Sequence, residues 1–209
     1  LPILRKNQIV YLKAASGVGK TTMAKVVMGL MRCRELDLKI GQHRLTDETP
    51  TRYWQDHLWG RKIGMVFQHA DEALNLNARV KDIFAGLPFP EHITPDYVAQ
   101  QLESYFPGEV DEIFLNKPIK LLSGGQKQRL NLLRTFSLDP DVLILDEPLN
   151  GLDFLSIKKI IDLLLAKQQE GKGILLISHN EEIFDSLGTA DKLHLRAEHA
   201  GYHQSSSTA

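Results

Sequence analysis

Three short apolar runs limit this chain's fold more than any other feature: Ile9-Val10-Tyr11-Leu12, Val142-Leu143-Ile144-Leu145 and Ile174-Leu175-Leu176-Ile177. Their apolarity is continuous, not alternating, so each predicts a strand covered on both faces, as in a parallel sheet flanked by helices. Helical patterns accompany them. Thr21 to Arg34 carries Met23, Val26, Val27, Leu30 and Met31, and Leu155 to Glu170 carries Ile157, Ile160, Ile161, Leu164 and Leu165. Gly171 stands where the second helix needs a C-cap. Strand, helix, strand, helix with short joints predicts an α/β fold with an open parallel sheet.

The middle of the chain reads differently. Between about Asp71 and Leu121 there is no strong strand run, and Thr94-Pro95 pairs an N-cap residue with proline at the first helical position. Val98, Leu102 and Tyr105 then follow at helical spacing, and Pro107-Gly108 ends the pattern. The expectation is one domain: a core over about 1–70 and 138–196, a mostly helical subdomain over about 71–137, and a small polar tail over 201–209. The composition, 43% hydrophobic and 24% charged, excludes a disordered or low-complexity chain. With 25 basic and 26 acidic side chains, bulk charge gives no case for nucleic acid or an anionic membrane as the main partner. Cys33 is the one cysteine, so no internal disulfide can form and a reducing compartment fits best. It is expected on a buried helix face. No apolar run approaches the roughly 18 residues of a membrane span. Leu1-Pro2-Ile3-Leu4 is too short for a signal-peptide core, and the absence of an initial Met predicts a trimmed, processed or fragmentary chain.

Chemistry concentrates in a few strings. Ala14-Ala15-Ser16-Gly17-Val18-Gly19-Lys20-Thr21 follows a predicted strand and opens a predicted helix, the context of a phosphate-binding P-loop. Glycines let consecutive amides point into one concavity, and the helix end adds positive potential. Ser16, Gly17, Val18, Gly19, Lys20, Thr21 and Thr22 are the candidate phosphate-binding residues, with Lys20 on the β- and γ-phosphates and Thr21 on Mg²⁺. Ala14 replaces the usual first glycine. A second turn, Leu122-Ser123-Gly124-Gly125-Gln126, precedes a helix predicted over Lys127 to Phe136 and offers a hydroxyl and glycine amides to an anion.

Together these strings resemble the ATP-binding cassette (ABC) ATPase family, from about Asn7 to Arg196. The resemblance implies a RecA-like P-loop NTPase core with an inserted helical subdomain. Ser123, Gly124, Gly125 and Gln126 look like the ABC signature, which in this family faces the ATP of a second subunit. Val142 to Asp146 followed by Glu147 looks like Walker B: Asp146 implied as a Mg²⁺ ligand, Glu147 as general base on the attacking water. Gln68, 54 residues before Leu122, sits where the family places the Q-loop glutamine, implied in contact with Mg²⁺ and water. His179, 32 residues after Glu147, resembles the switch histidine. Asp153 fits the end of the D-loop, although Asn150-Gly151 departs from the commoner Ser-Ala. His194, His199 and His203 show no metal-ligand spacing. The family's adenine-stacking aromatic lies well upstream of the P-loop, whereas only 19 residues precede Lys20 here, and Tyr11 is no substitute.

The resemblance implies an ATPase using ATP and Mg²⁺, a head-to-tail dimer with two interfacial ATP sites, and a membrane permease as partner. The implied location is cytoplasmic, on the inner face of the membrane. Phe67 to Asn75 is similar to the corresponding run of peptide- and nickel-importer ATPases. A soluble ABC ATPase acting on ribosomes or nucleic acid is the alternative, favoured by Asn150. It is opposed by the single cassette, the lack of a basic linker and the long helical insert.

Overall fold

The computed structural model describes residues 4–13, 17–87, 94–179 and 190–194, with backbone alone at Lys13 and 190–194. Ser16, with Ala14 and Ala15, lies outside the described residues, as do His199, His203 and the 201–209 tail. The strands are β1 (Ile9–Lys13), β2 (Asp37–Ile40), β3 (His43–Thr46), β4 (Ile63–Val66), β5 (Val142–Asp146), β6 (Gly173–Ile177) and β7 (Ala190–His194). The helices are α1 (Lys20–Val27), α2 (Thr51–His57), α3 (Pro95–Tyr105), α4 (Glu112–Asn116), α5 (Gly124–Ser137) and α6 (Phe154–Gln169). Among the described residues, five strands form one sheet in the order β4-β5-β6-β1-β7, every pairing parallel, and β2-β3 is a separate antiparallel pair. The three apolar runs are therefore parallel strands of one sheet.

Alternate residues of those strands face opposite layers, as the pleat requires. Ile9, Tyr11, Leu143, Leu145, Ile174 and Leu176 pack with Ile160 and Leu164 of α6. Val10, Leu12, Ile144, Leu175 and Ile177 pack with Ala24 and Met28 on the α1 side, and with Trp54 of α2. A third core is built from residues between Ala70 and Leu133, around Phe84, Leu102, Phe106 and Phe114. Helix α5 joins cores: Leu132 and Phe136 belong to the first, Leu130 and Leu133 to the third. No described residue between 71 and 121 lies in a strand; an isolated bridge pairs Arg79 with Pro118. The Thr94 hydroxyl accepts from the Tyr97 amide and caps α3 as expected. No described helix is long and apolar enough to cross a membrane.

Three expectations need correction. Helix α1 stops at Val27 and does not continue to Arg34. Gly29 takes a left-handed φ of 69°, which closes a helix, and a Cβ there would run into the Trp54 indole. Cys33 consequently lies beyond the helix and is exposed, not a core residue. Helix α5 begins at Gly124 rather than Lys127: Ser123 is its N-cap, and its side chain and that of Gln126 form a reciprocal capping box.

Candidate functional site

Four strands of the sheet end in the residues that carry chemistry, where ligands bind in open α/β folds. After β1, the turn runs through Gly17 (φ 81°) and Gly19 (φ 89°) into α1. Both values suit glycine, and a Cβ at Gly17 would meet nothing within 4 Å, so conformation and not crowding requires these residues. Gly19 caps α1 without a side-chain acceptor, which leaves the cap position uncovered by side chain. Lys20 is buried; Thr21 and Val18 are half-buried, and Thr22 is exposed.

Strand β5 delivers Asp146 and Glu147, 1% and 5% exposed. The Thr21 hydroxyl donates to the Asp146 carboxylate. Burial pushes the Asp146 pKa above the ordinary aspartate value, opposed by that hydrogen bond and by the charge of Lys20. Its Oδ2 is buried with no hydrogen-bond partner. Glu147 sits at φ 47°, in the left-handed region, and its amide donates to the Ile177 carbonyl at 2.8 Å. That kink turns the side chain back over β6, where Ser178 Oγ donates to Oε2 at 2.9 Å. The Ser178 carbonyl accepts from the Tyr11 hydroxyl at 2.6 Å, tying this turn to β1. Glu147 Oε1 is buried without a hydrogen-bond partner, and His179 Nε2 stands 3.7 Å from it. A half-bonded buried carboxylate is costly unless something else arrives to use its open lone pairs. Gln68 is exposed two residues past β4.

The structure thus brings Lys20, Thr21, Asp146, Glu147 and His179 to the C-terminal ends of the sheet's strands, with Gln68 beyond the same end of β4. The Ser123–Gln126 turn opens α5, and its Gly125 backbone packs against Gly151. Ser123 and Gly124 are exposed, and the Gln126 side chain is held by Ser123 and by Glu109 Oε2, to which its Nε2 donates at 2.9 Å. Asp153 caps α6, accepting from the Ser156 amide at 2.8 Å, a bond that holds its carboxyl below the usual range. Two residues of the site were not singled out from sequence. Ser178 had a signal, since it stands between the end of β6 and His179. Tyr11 had none, because its hydroxyl bond spans 167 positions.

The arrangement is a glycine turn opening a helix, with a buried lysine, beside a buried carboxylate pair at the end of β5. A dimeric ATP-binding cassette solved in a post-hydrolysis state with ADP and Pi superposes with a TM-score of 0.74 at 24% identity, covering 87% of this chain and 79% of that one. A dimeric bacterial ABC transporter cassette gives 0.75 at 23%, covering 92% and 84%. The ABC transporter family model matches residues 3–150. The chain belongs to the ABC transporter family. Among curated relatives, an oligopeptide transport ATP-binding protein of Lactococcus lactis subsp. cremoris is 31% identical over 186 residues, 85% of this chain and 54% of its own length. An energy-coupling factor transporter ATP-binding protein of Lactobacillus gasseri is 29% identical over 180 residues, 85% of this chain and 61% of its length. The chain spans 35% of another relative, from Methanosarcina acetivorans, to which it is 31% identical.

Proposed function

We propose that this chain is the ATP-binding and ATP-hydrolysing part of a membrane transporter, with its core over about 1–70 and 138–196 and its helical subdomain over about 71–137. The observation that carries the hydrolytic part is the buried Oε1 of Glu147, unpartnered 3.7 Å from His179 and beside the Lys20–Thr21–Asp146 cluster. The names of transport ATP-binding proteins among the relatives support the transporter part.

In this reading the amides of 16–22 and the Lys20 ammonium hold the phosphates of ATP. Water attacks the γ-phosphorus in line with the bond to ADP, which breaks. Glu147 takes the water's proton through Oε1 while Ser178 holds Oε2. His179 and Gln68 orient the γ-phosphate and the water. Mg²⁺ fits the donor set: Asp146 Oδ2 is a buried, unpartnered carboxylate oxygen beside the Thr21 hydroxyl, and the ion needs few protein ligands. Thr21, Asp146 and Gln68 would hold it, directly or through water, and it would neutralise charge on the phosphate oxygens. Ser123, Gly124, Gly125 and Gln126 face the nucleotide of a second cassette, and Asp153 lies near that junction. The exposure of Ser123 and Gly124 favours such a head-to-tail pair. A permease would hold the pair at the inner face of the membrane.

The test is Glu147→Gln. Hydrolysis is expected to fall by roughly 10²–10⁴-fold, and ATP should trap a dimer on size exclusion. Wild-type turnover in that variant sinks the base assignment. Capture of a multi-span membrane protein by the trapped variant from solubilised cells supports the transporter reading; capture of ribosomes instead overturns it and leaves the ATPase.

A further inference from the structure

Helix α5 is leucine-rich, yet it buries three polar side chains on one side. Gln128, Asn131 and Thr135 are 3%, 1% and 6% exposed, at positions that share a helix face. Each donates to a main-chain carbonyl at 3.3 Å: Thr135 Oγ1 to Met65, Asn131 Nδ2 to Phe67, Gln128 Nε2 to Pro148. Met65 and Phe67 lead into Gln68, and Pro148 directly follows Glu147. At the first turn of α5 the contact becomes backbone on backbone, because a Cβ on Gly125 would overlap the Gly151 carbonyl oxygen. The helix that starts with the signature turn therefore rests, in succession, on the loop after Glu147, the segment before Gln68 and strand β4.

Buried side-chain bonds of this kind add little net stability, since the unfolded groups bond to water equally well, but they fix geometry. A methionine or leucine would fill the same space. What Gln128 adds is a directional hold on one carbonyl, that of Pro148, the residue after the proposed base.

We propose that Gln128 is a positioning residue that joins the signature end of α5 to the Glu147–Gly151 loop, so that the hydrolytic loop of one ATP site and the Ser123–Gln126 clasp on the other move as one body. This rests on the dimeric ATPase reading above. The Gly125–Gly151 contact is the second point of the same joint. Two points along one helix fix its direction as well as its position.

Gln128→Met removes the donor and keeps the volume. ATP affinity of the monomer is expected to stay within about twofold, while kcat falls roughly tenfold and the Hill coefficient for ATP drops toward 1. Gln128→His, which restores a ring N–H at similar reach, should recover part of both. Unchanged kcat and Hill coefficient in Gln128→Met overturn the proposal. So do affinity, kcat and Tm falling in parallel with no recovery by histidine, which is the pattern of a merely structural residue. If Gln128→Met does not fold, hydrogen exchange on the unsubstituted chain decides. ATP added to dilute monomer should slow exchange in 148–152 and 124–128 together; slowing in 148–152 alone overturns the joint. A wild-type protein that neither binds nor hydrolyses ATP overturns the function and this joint with it. Wild-type turnover with an indifferent Gln128→Met overturns the joint alone.

Discussion

The two glycine-rich turns look alike in sequence and are built on different physics. In the turn before α1, Gly17 and Gly19 adopt φ of 81° and 89°, and no atom lies close enough to exclude a methyl group at Gly17. In the turn before α5, Gly124 and Gly125 already belong to the helix, and Gly125 is needed because the Gly151 carbonyl sits where its Cβ would be. One turn uses glycine for a backbone shape, the other for a close approach. A string of the same residue type therefore marks a concavity in one place and a contact point in the other.

The difference predicts opposite responses to substitution. Glu147→Gln, described above, has the largest effect on activity and should leave both turns folded. On stability, Gly125 is the more sensitive position, and Gly125→Ala should cost about 1–3 kcal/mol by overpacking. Gly125→Asn should be worse because the added group is larger. Gly19→Ala should cost about 1–2 kcal/mol through left-handed strain, and Gly19→Asn less, because asparagine tolerates that region. Denaturant melts of these four variants check the crossing; the same rank order at both positions would erase the distinction. Ser123→Ala removes the cap and one arm of the capping box, with about 1 kcal/mol lost. No change in its melt would mean that Gln126 and Glu109 hold the turn alone. The smallest effect lies far from both turns. Burial works to raise the Asp139 pKa, but hydrogen bonds and charge from Lys167 and Lys172 prevail and hold it below the ordinary value. Its folded pKa is depressed, so its contribution is present at neutral pH and lost as pH falls through the acidic range below that value. Asp139→Asn should cost roughly 0.5 kcal/mol at pH 7, as for a half-exposed ion pair, with the gap to wild type closing on acidification. A gap independent of pH would remove the electrostatic account.

Strands β1, β5 and β6 were legible because burial on both faces leaves a run that no solvent-facing residue interrupts. Strand β4 was not. It reads Ile63-Gly64-Met65-Val66, and Gly64 is required by tertiary packing: a Cβ there would lie 2.9 Å from Pro140 and 3.2 Å from Thr135. The pair β2-β3 was missed for a different reason, since Asp37, Lys39, His43 and Arg44 leave a short and mostly polar pattern. Helix α1 was overextended because Leu30 and Met31 continue the apolar period past Gly29, although both are 45% exposed. At the candidate site, Lys20 was legible from the glycine-rich turn, and Asp146, Glu147 and His179 from motifs that resemble the ABC family. The bonds that hold Glu147, from Ser178 and through Tyr11, were not, because they join strands remote in the chain.

Strand order sets a length. Strand β6 lies between β5 and β1, so the Glu147 turn and the Gly17–Lys20 turn are two interstrand steps apart, roughly 10 Å. His179 lies two residues past the end of the strand between them. The sheet is thus a ruler graduated in hydrogen-bonded strand widths. Lengthening a loop changes which side chains reach into the gap, but only adding or removing a strand would change its width.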